Sequence, residues 1–222
     1  MVNRVALAVP VLHNFEGFTE LMHSVDMDVR PFVIPNWKDN RGVSWAWNDG
    51  MRRAAIEKYD AVFILNDDVV FHPGTMKRML LGLAEGYDLV TGFNTRDENY
   101  DHLDEVKYIE SPDYSCFVVN PISFIHKFGW FDENFSPAYF EDNDMNYRIK
   151  LAGGTDRKRT DAPFFHKGSV TQNWGGSQVV TSPMFEKNRE YYAWKWGGEP
   201  GHETLTTPNT HPQDIETGVG IE

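Results

Sequence analysis

The chain has 222 residues, 41% hydrophobic and 24% charged, the make-up of a globular protein that can bury a core unaided; a disordered, collagen-like or disulfide-scaffold protein is excluded. The single cysteine, Cys116, can form no internal bridge, which points to a reducing, cytoplasmic setting. The net charge of −12 disfavours nucleic-acid binding by the whole surface, but residues 145–198 hold nine Lys/Arg against four acids, so one basic face remains for an anionic partner.

Residues 4–11 read as a buried strand that ends near Pro10 and the polar pair His13-Asn14. The stretch is short, is interrupted by Pro10 and has no small-residue cleavage site after it, so a strand is expected and not a signal peptide. No run of about 18 apolar residues predicts a membrane span. A weak helix follows at 15–25, then a strand at 29–34 closed by Pro35-Asn36. Val43, Trp47, Met51 and Ala54 form one stripe of a helix over 43–59. Residues 61–65 are a third apolar strand, stopped by Asn66-Asp67-Asp68; a helix at 75–84 and a strand at 88–92 complete this half. Such alternation predicts an α/β fold, a mostly parallel sheet with helices on both faces. Right-handed crossovers bring the strand C-termini to one edge, where open α/β sheets bind ligands.

The second half is less periodic. Residues 94–113 read as an acidic loop, 115–119 as a short strand and 122–128 as a short helix. A helix over 140–152 ends at Gly153-Gly154, and 164–166 reads as a short strand. Ser182-Pro183 opens a last helix running to about Trp196. Residues 1–197 form one domain, and 198–222, rich in Gly, Pro and Thr without Lys or Arg, read as a disordered, dispensable tail.

Four constellations carry chemistry. Asn66-Asp67-Asp68 places adjacent carboxylates at a strand end, where they either hold a hard divalent ion such as Mg²⁺ or simply make a polar turn. Glu141-Asp142-Asn143-Asp144 starts a helix; one carboxylate there either deprotonates a hydroxyl or only complements the helix dipole. His166, after Phe164-Phe165, is either a metal ligand or a packed turn residue. Asn40-Arg41-Gly42 and Asn48-Asp49-Gly50 read as a loop and a helix cap when taken alone.

In combination, the order of Pro10-Val11, the two Asn-x-Gly triplets, Asn66-Asp67-Asp68, Gly129-Trp130-Phe131-Asp132-Glu133, Tyr139-Phe140-Glu141-Asp142 and His166-Lys167-Gly168-Ser169 resembles the GT-A glycosyltransferases. The likeness is to the family-2 type, which includes many rhamnosyl- and galactofuranosyl-transferases, and it covers about residues 4–171. The resemblance implies a GT-A, Rossmann-like sheet with a nucleotide-sugar half at 1–95 and an acceptor half at 96–197. It implies Mn²⁺ or Mg²⁺ at Asp68 and His166, and donor contacts from Pro10, Val11, Asn36, Asn40, Gly42, Asn48, Asn66 and Asp67. It implies Asp142 as catalytic base beside Glu141. Two departures stand out: the stretch after the second strand lacks the family's Asp-Asn-Gly-Ser, and Asn66 replaces the first Asp of the metal motif.

The reading is thus a metal-dependent, inverting transfer of a sugar from a nucleotide-sugar to an acceptor hydroxyl. A nucleotidyltransferase is the alternative within the fold, disfavoured because residues 12–16 hold no Lys or Arg to grip a triphosphate. A non-catalytic carbohydrate-binding module is the other alternative. Acceptor contacts are expected at Trp130, Tyr139, Arg157, Lys158, Arg159 and Trp174. Basic residues interleaved with aromatics suit a polyanion such as DNA with an extruded base. The compact chain also looks like stand-alone phage glycosyltransferases, some acting on hydroxymethylated pyrimidines; a glycan or glycolipid acceptor is the competing expectation.

Overall fold

The computed structural model describes residues 2–101, 105–110, 112–168 and 183–210. Eight strands form one sheet: β1 (Val5–Val11), β2 (Arg30–Pro35), β3 (Ala61–Leu65), β4 (Val69–Phe71), β5 (Leu89–Asn94), β6 (Tyr108–Ile109), β7 (Cys116–Val119) and β8 (Asp156–His166). Their order is β2-β1-β3-β7-β5-β8-β4, with β6 paired to β8. β1 runs parallel to β2 and β3, and β5 parallel to β8, while β7, β4 and β6 run against their neighbours. Five strands therefore point one way, and the expected mostly parallel sheet is observed.

The sheet is sandwiched because its strands alternate faces. Ala6 and Ala8 of β1 join one core with Trp47, Met51 and Ala54 of α2 (Val43–Ile56), Phe124 and Phe128 of α4 (Pro121–Phe128), and Met145 and Ile149 of α5 (Glu141–Leu151). Val5, Leu7, Val9 and Val11 turn to the other face, against Leu21 of α1 (Phe15–Ser24) and Met76 and Met79 of α3 (Thr75–Ala84). α2 approaches β1 so closely that a Cβ on Gly50 would lie 2.4 Å from the Ala8 Cβ. A third, aromatic cluster gathers Phe135, Phe140, Tyr147, Tyr192 and Trp196 under α6 (Pro183–Trp196).

Two expectations are corrected. β8 is eleven residues long, not three. Its charged half joins the sheet because Arg159 pairs with Asp161 at 2.6 and 3.1 Å, and Arg157 with Glu110 at 2.9 Å. The segment after Gly198 is not a loose tail where it is described. Thr204 and Leu205 N–H donate to Trp196 O, Tyr147 Oη to Leu205 O, and Tyr192 Oη to Glu203 Oε1. Backbone hydrogen bonding supplies there what apolar periodicity does not. Residues 211–222 lie outside the described residues. No helix among the described residues is long and apolar enough to cross a membrane.

Candidate active site

β3 is buried along all five residues and ends at Asn66, whose N–H donates to Ser115 O at 3.0 Å. The short strand β4 then pairs antiparallel with β8, setting Val69 opposite His166. That register places Asp68 beside the histidine: His166 Nε2 lies 3.0 Å from Asp68 Oδ1, and Lys167 N–H donates to Asp68 O at 3.1 Å. Burial opposes the imidazolium, but the hydrogen bond and charge of Asp68, with the charges of Asp113 and Asp67, outweigh it and raise the His166 pKa.

Asp113 was not singled out by sequence, because it sits in an aperiodic acidic loop. The antiparallel pairing of β7 with β3 brings it here, with Cys116 opposite Leu65. Its carboxylate accepts from Ser115 N–H at 3.1 Å, and its own N–H donates to Thr91 Oγ1 at 3.2 Å. Only topology, and no local pattern, could have found it.

The donor set at this corner is one imidazole nitrogen with the carboxylates of Asp68, Asp67 and Asp113 close by. Hard oxygens with one imidazole fit Mn²⁺ or Mg²⁺. Among the described residues no group of three or more His, Cys, Asp or Glu side chains is drawn together as a finished metal cage. An ion here would therefore need oxygens from a bound phosphate or water as well, and Asn66 adds at best a neutral oxygen.

Glu141 and Asp142 open α5, as expected. The turn that presents them is unusual: Tyr139 and Phe140 both adopt positive φ, 79° and 73°. Each left-handed bulky residue costs about 1–2 kcal/mol, so the surroundings must hold it. Burial raises the Glu141 pKa well above the carboxylate range, and the Asp142 charge adds to it. Burial also raises Asp142, partly offset by the Asn143 N–H that donates to Asp142 Oδ1 at 2.8 Å. Asp113 acts electrostatically on Asp142 as well as on His166.

The remaining predicted residues divide. Pro10 and Val11 end β1, and Val11 O accepts from Asn36 N–H at 2.9 Å. Asn36 is buried and shapes the loop into α2, donating to Asn40 Oδ1 at 3.2 Å and accepting from Arg41 N–H at 3.1 Å. Asn40 Oδ1 in turn accepts from Gly42 N–H at 3.1 Å. Asn48 is not at the site. It is 1% exposed, and its amide grips Phe131 N–H, Phe131 O and Glu133 Oε1 at 2.8–2.9 Å. A nucleotide cannot reach it; its role is to tie α2 to the loop before α5.

Trp130 lies under the Arg52 guanidinium, 5.1 Å from its ring centroid, and Tyr139 packs on Phe185. Arg157, Lys158 and Arg159 stand at the opposite end of β8 from His166, where Lys158 and Arg159 pair with Ile109 and Tyr108 of β6. Arg159 is 4% exposed, and the structure does not bring these three to the site. Trp174 and Ser169 lie outside the described residues.

No family model and no curated protein matches the sequence. Among solved structures, the chain resembles residues 1–349 of TarS from S. aureus. In complex with UDP-GlcNAc the match has a TM-score of 0.52 and 14% identity, covering 73% of this chain and 57% of that one. In complex with UDP the TM-score is 0.54 at 11% identity, covering 87% and 71%. At such identity the likeness carries the architecture alone: the chain is an α/β protein of the GT-A, Rossmann-like type, with a mostly parallel central sheet between layers of helices.

Proposed function

We propose that the protein is a nucleotide-sugar-dependent glycosyltransferase that inverts the anomeric centre. The observation that carries the reading is the pairing of Asp68 with His166 at 3.0 Å, set by the β4–β8 register, together with Glu141 and Asp142 in the first turn of α5. One edge of the sheet then offers a diphosphate-side group, Asp68 with His166, and a separate carboxylate for proton abstraction. The likeness to a fold solved with UDP-GlcNAc supports a UDP-sugar donor.

The Asp142 carboxylate, whose Oδ1 also accepts from Asn143 N–H at 2.8 Å, takes the proton of the acceptor hydroxyl. The acceptor oxygen forms its bond to the anomeric carbon as the bond to the diphosphate oxygen breaks, and the nucleoside diphosphate departs with the electron pair. Asp68 and His166 would hold Mn²⁺ or Mg²⁺, which when bound offsets the charge of that leaving group. Because the buried Arg159 is held by Asp161, the acceptor in this reading is a carbohydrate hydroxyl, as in a glycan or glycolipid, in preference to DNA.

Release of nucleoside diphosphate from a panel of UDP-, GDP- and dTDP-sugars tests the reading. EDTA should abolish turnover and Mn²⁺ restore it. Asp142→Asn should fold, bind nucleotide normally and lose roughly 10²-fold or more in rate, the usual worth of a positioned base. Full turnover in chelator removes the metal role, and a native rate for Asp142→Asn removes the base. Strong salt dependence of acceptor binding would return DNA as acceptor.

A further inference from the structure

The start of α5 is held by no capping side chain of its own: its N-cap is Phe140, at φ 73° and ψ −9°. Tyr139 before it is also left-handed. Something outside the turn must fix it, since bulky residues do not rest there by preference. α6 presents one stripe to this turn, Phe185, Asn188 and Tyr192, at helical spacings of three and four. Phe185 packs at 5.3 Å from the Tyr139 ring and 5.2 Å from Phe140, and Tyr192 at 5.9 Å from Phe140.

Between these rings sits the one polar member of the stripe. Asn188 is 1% exposed, and its amide nitrogen donates to Ala138 O at 2.9 Å and Tyr139 O at 3.2 Å. Both of its N–H groups are thus directed at the peptide units whose orientation defines the bend. Two turns farther on, α6 is pinned to the body of α5. Lys195 Nζ lies 2.6 Å from Asp132 and 2.7 Å from Asp144, and Trp196 Nε1 donates to Asp144 Oδ1 at 2.8 Å. The anchor at Asp144 and the grip at 138–139 therefore bracket Glu141 and Asp142 on both sides.

We propose that Asn188 is a positioning residue for Asp142. Its amide locks the left-handed turn at 139–140 and so sets the direction in which the Asp142 carboxylate meets the acceptor hydroxyl. The proposal rests on the reading of Asp142 as base. A packing residue would serve stability alone, whereas a polar group buried against two carbonyls fixes a particular peptide geometry. The effect should fall on the rate of the chemical step and not on donor capture, because Asn188 contacts neither Asp68 nor His166.

The test uses the full chain with Mn²⁺ and the sugar nucleotide that is hydrolysed fastest in the panel above. Asn188→Ala should lower kcat by roughly 10²-fold, the scale of a misplacement of about 1 Å, with the donor KM within about twofold of native. Asn188→Ser, which keeps one donor, should fall between, and it decides the matter if the alanine variant does not fold. Amide exchange over 138–143 should quicken in the variants while β1 and β3 stay protected. In an Asp142→Asn background the alanine change should add less than about twofold, since the carboxylate it aims is gone. Equal losses in both backgrounds, a KM effect without a kcat effect, or unchanged exchange at 138–143 would each overturn the proposal while leaving the base in place. A native rate for Asp142→Asn alone would overturn the base reading, and this proposal with it.

Discussion

Glu141 lies deeper than Asp142 under the same helix start, and burial lifts its carboxyl further above the ordinary range. Environments that push two neighbouring carboxyls apart assign them different protonation states. Glu141, the more strongly raised of the two, should keep its proton to higher pH than Asp142, so of this pair Asp142 should carry the titration of turnover. Turnover should fall as pH drops through a pKa above the usual carboxylate value, and Asp142→Asn should lack that limb. Glu141 leaves its mark on stability. A carboxyl whose folded pKa is raised stabilises the fold fully below its unfolded pKa, and that contribution is lost as pH rises through the folded pKa. Glu141→Gln does not titrate and escapes the loss. Its melting temperature should match the native one near pH 4 and exceed it near pH 8, by about 2–4 °C for each 1 kcal/mol relieved. Melts that run parallel across that pH range would show that Glu141 is ionised in the fold.

At the scale of elements, α2 illustrates both what was legible and what was not. Its stripe of Val43, Trp47, Met51 and Ala54 follows from period alone, as do β1, α1, β2, β3, α3 and β5, whereas the three-residue β4 was not expected. Asn48 did not follow. Set in an Asn-x-Gly triplet it reads as a donor contact, but the residue faces the body of the protein and closes three hydrogen bonds. Asn48→Ala should therefore cost about 1–3 kcal/mol by leaving Phe131 N–H unsatisfied. Thermal melts should record the loss while nucleotide affinity, measured by calorimetry, stays near native; a selective loss of affinity would restore it to the donor site. β8 was hidden for another reason. Its charged residues satisfy one another in pairs, so the strand carries no apolar alternation over Arg157, Lys158 and Arg159. Asp113 was hidden because an antiparallel pairing between β3 and β7, distant in sequence, creates its position.

For the whole molecule, the charge asymmetry that suggested a basic face dissolves once the chain is folded. Arg148 and Lys195 share Asp144, and Arg159 shares Asp161 and Glu85, so much of the surplus is neutralised internally. The segment after Gly198 belongs to the same economy of contacts. Asn209 N–H donates to Lys195 O and its side chain to Trp194 O, so the end of the described chain stitches down the last turn of α6. Truncation after Gly198 should lower the melting temperature by several degrees and weaken turnover with it, because α6 carries Asn188. An unchanged melt would show that these contacts are dispensable.

Cys116 offers a way of watching this edge of the sheet. It is buried on β7, directly across from Leu65 and one residue beyond Ser115, whose carbonyl receives the Asn66 N–H. Burial pushes its thiol pKa well up, so the sulfur is inert while the sheet is closed. As the chain's sole thiol, its modification by a disulfide reagent counts openings of the central strands and nothing else. The protein thus carries its own clock for local unfolding, on the strand that follows Asp113.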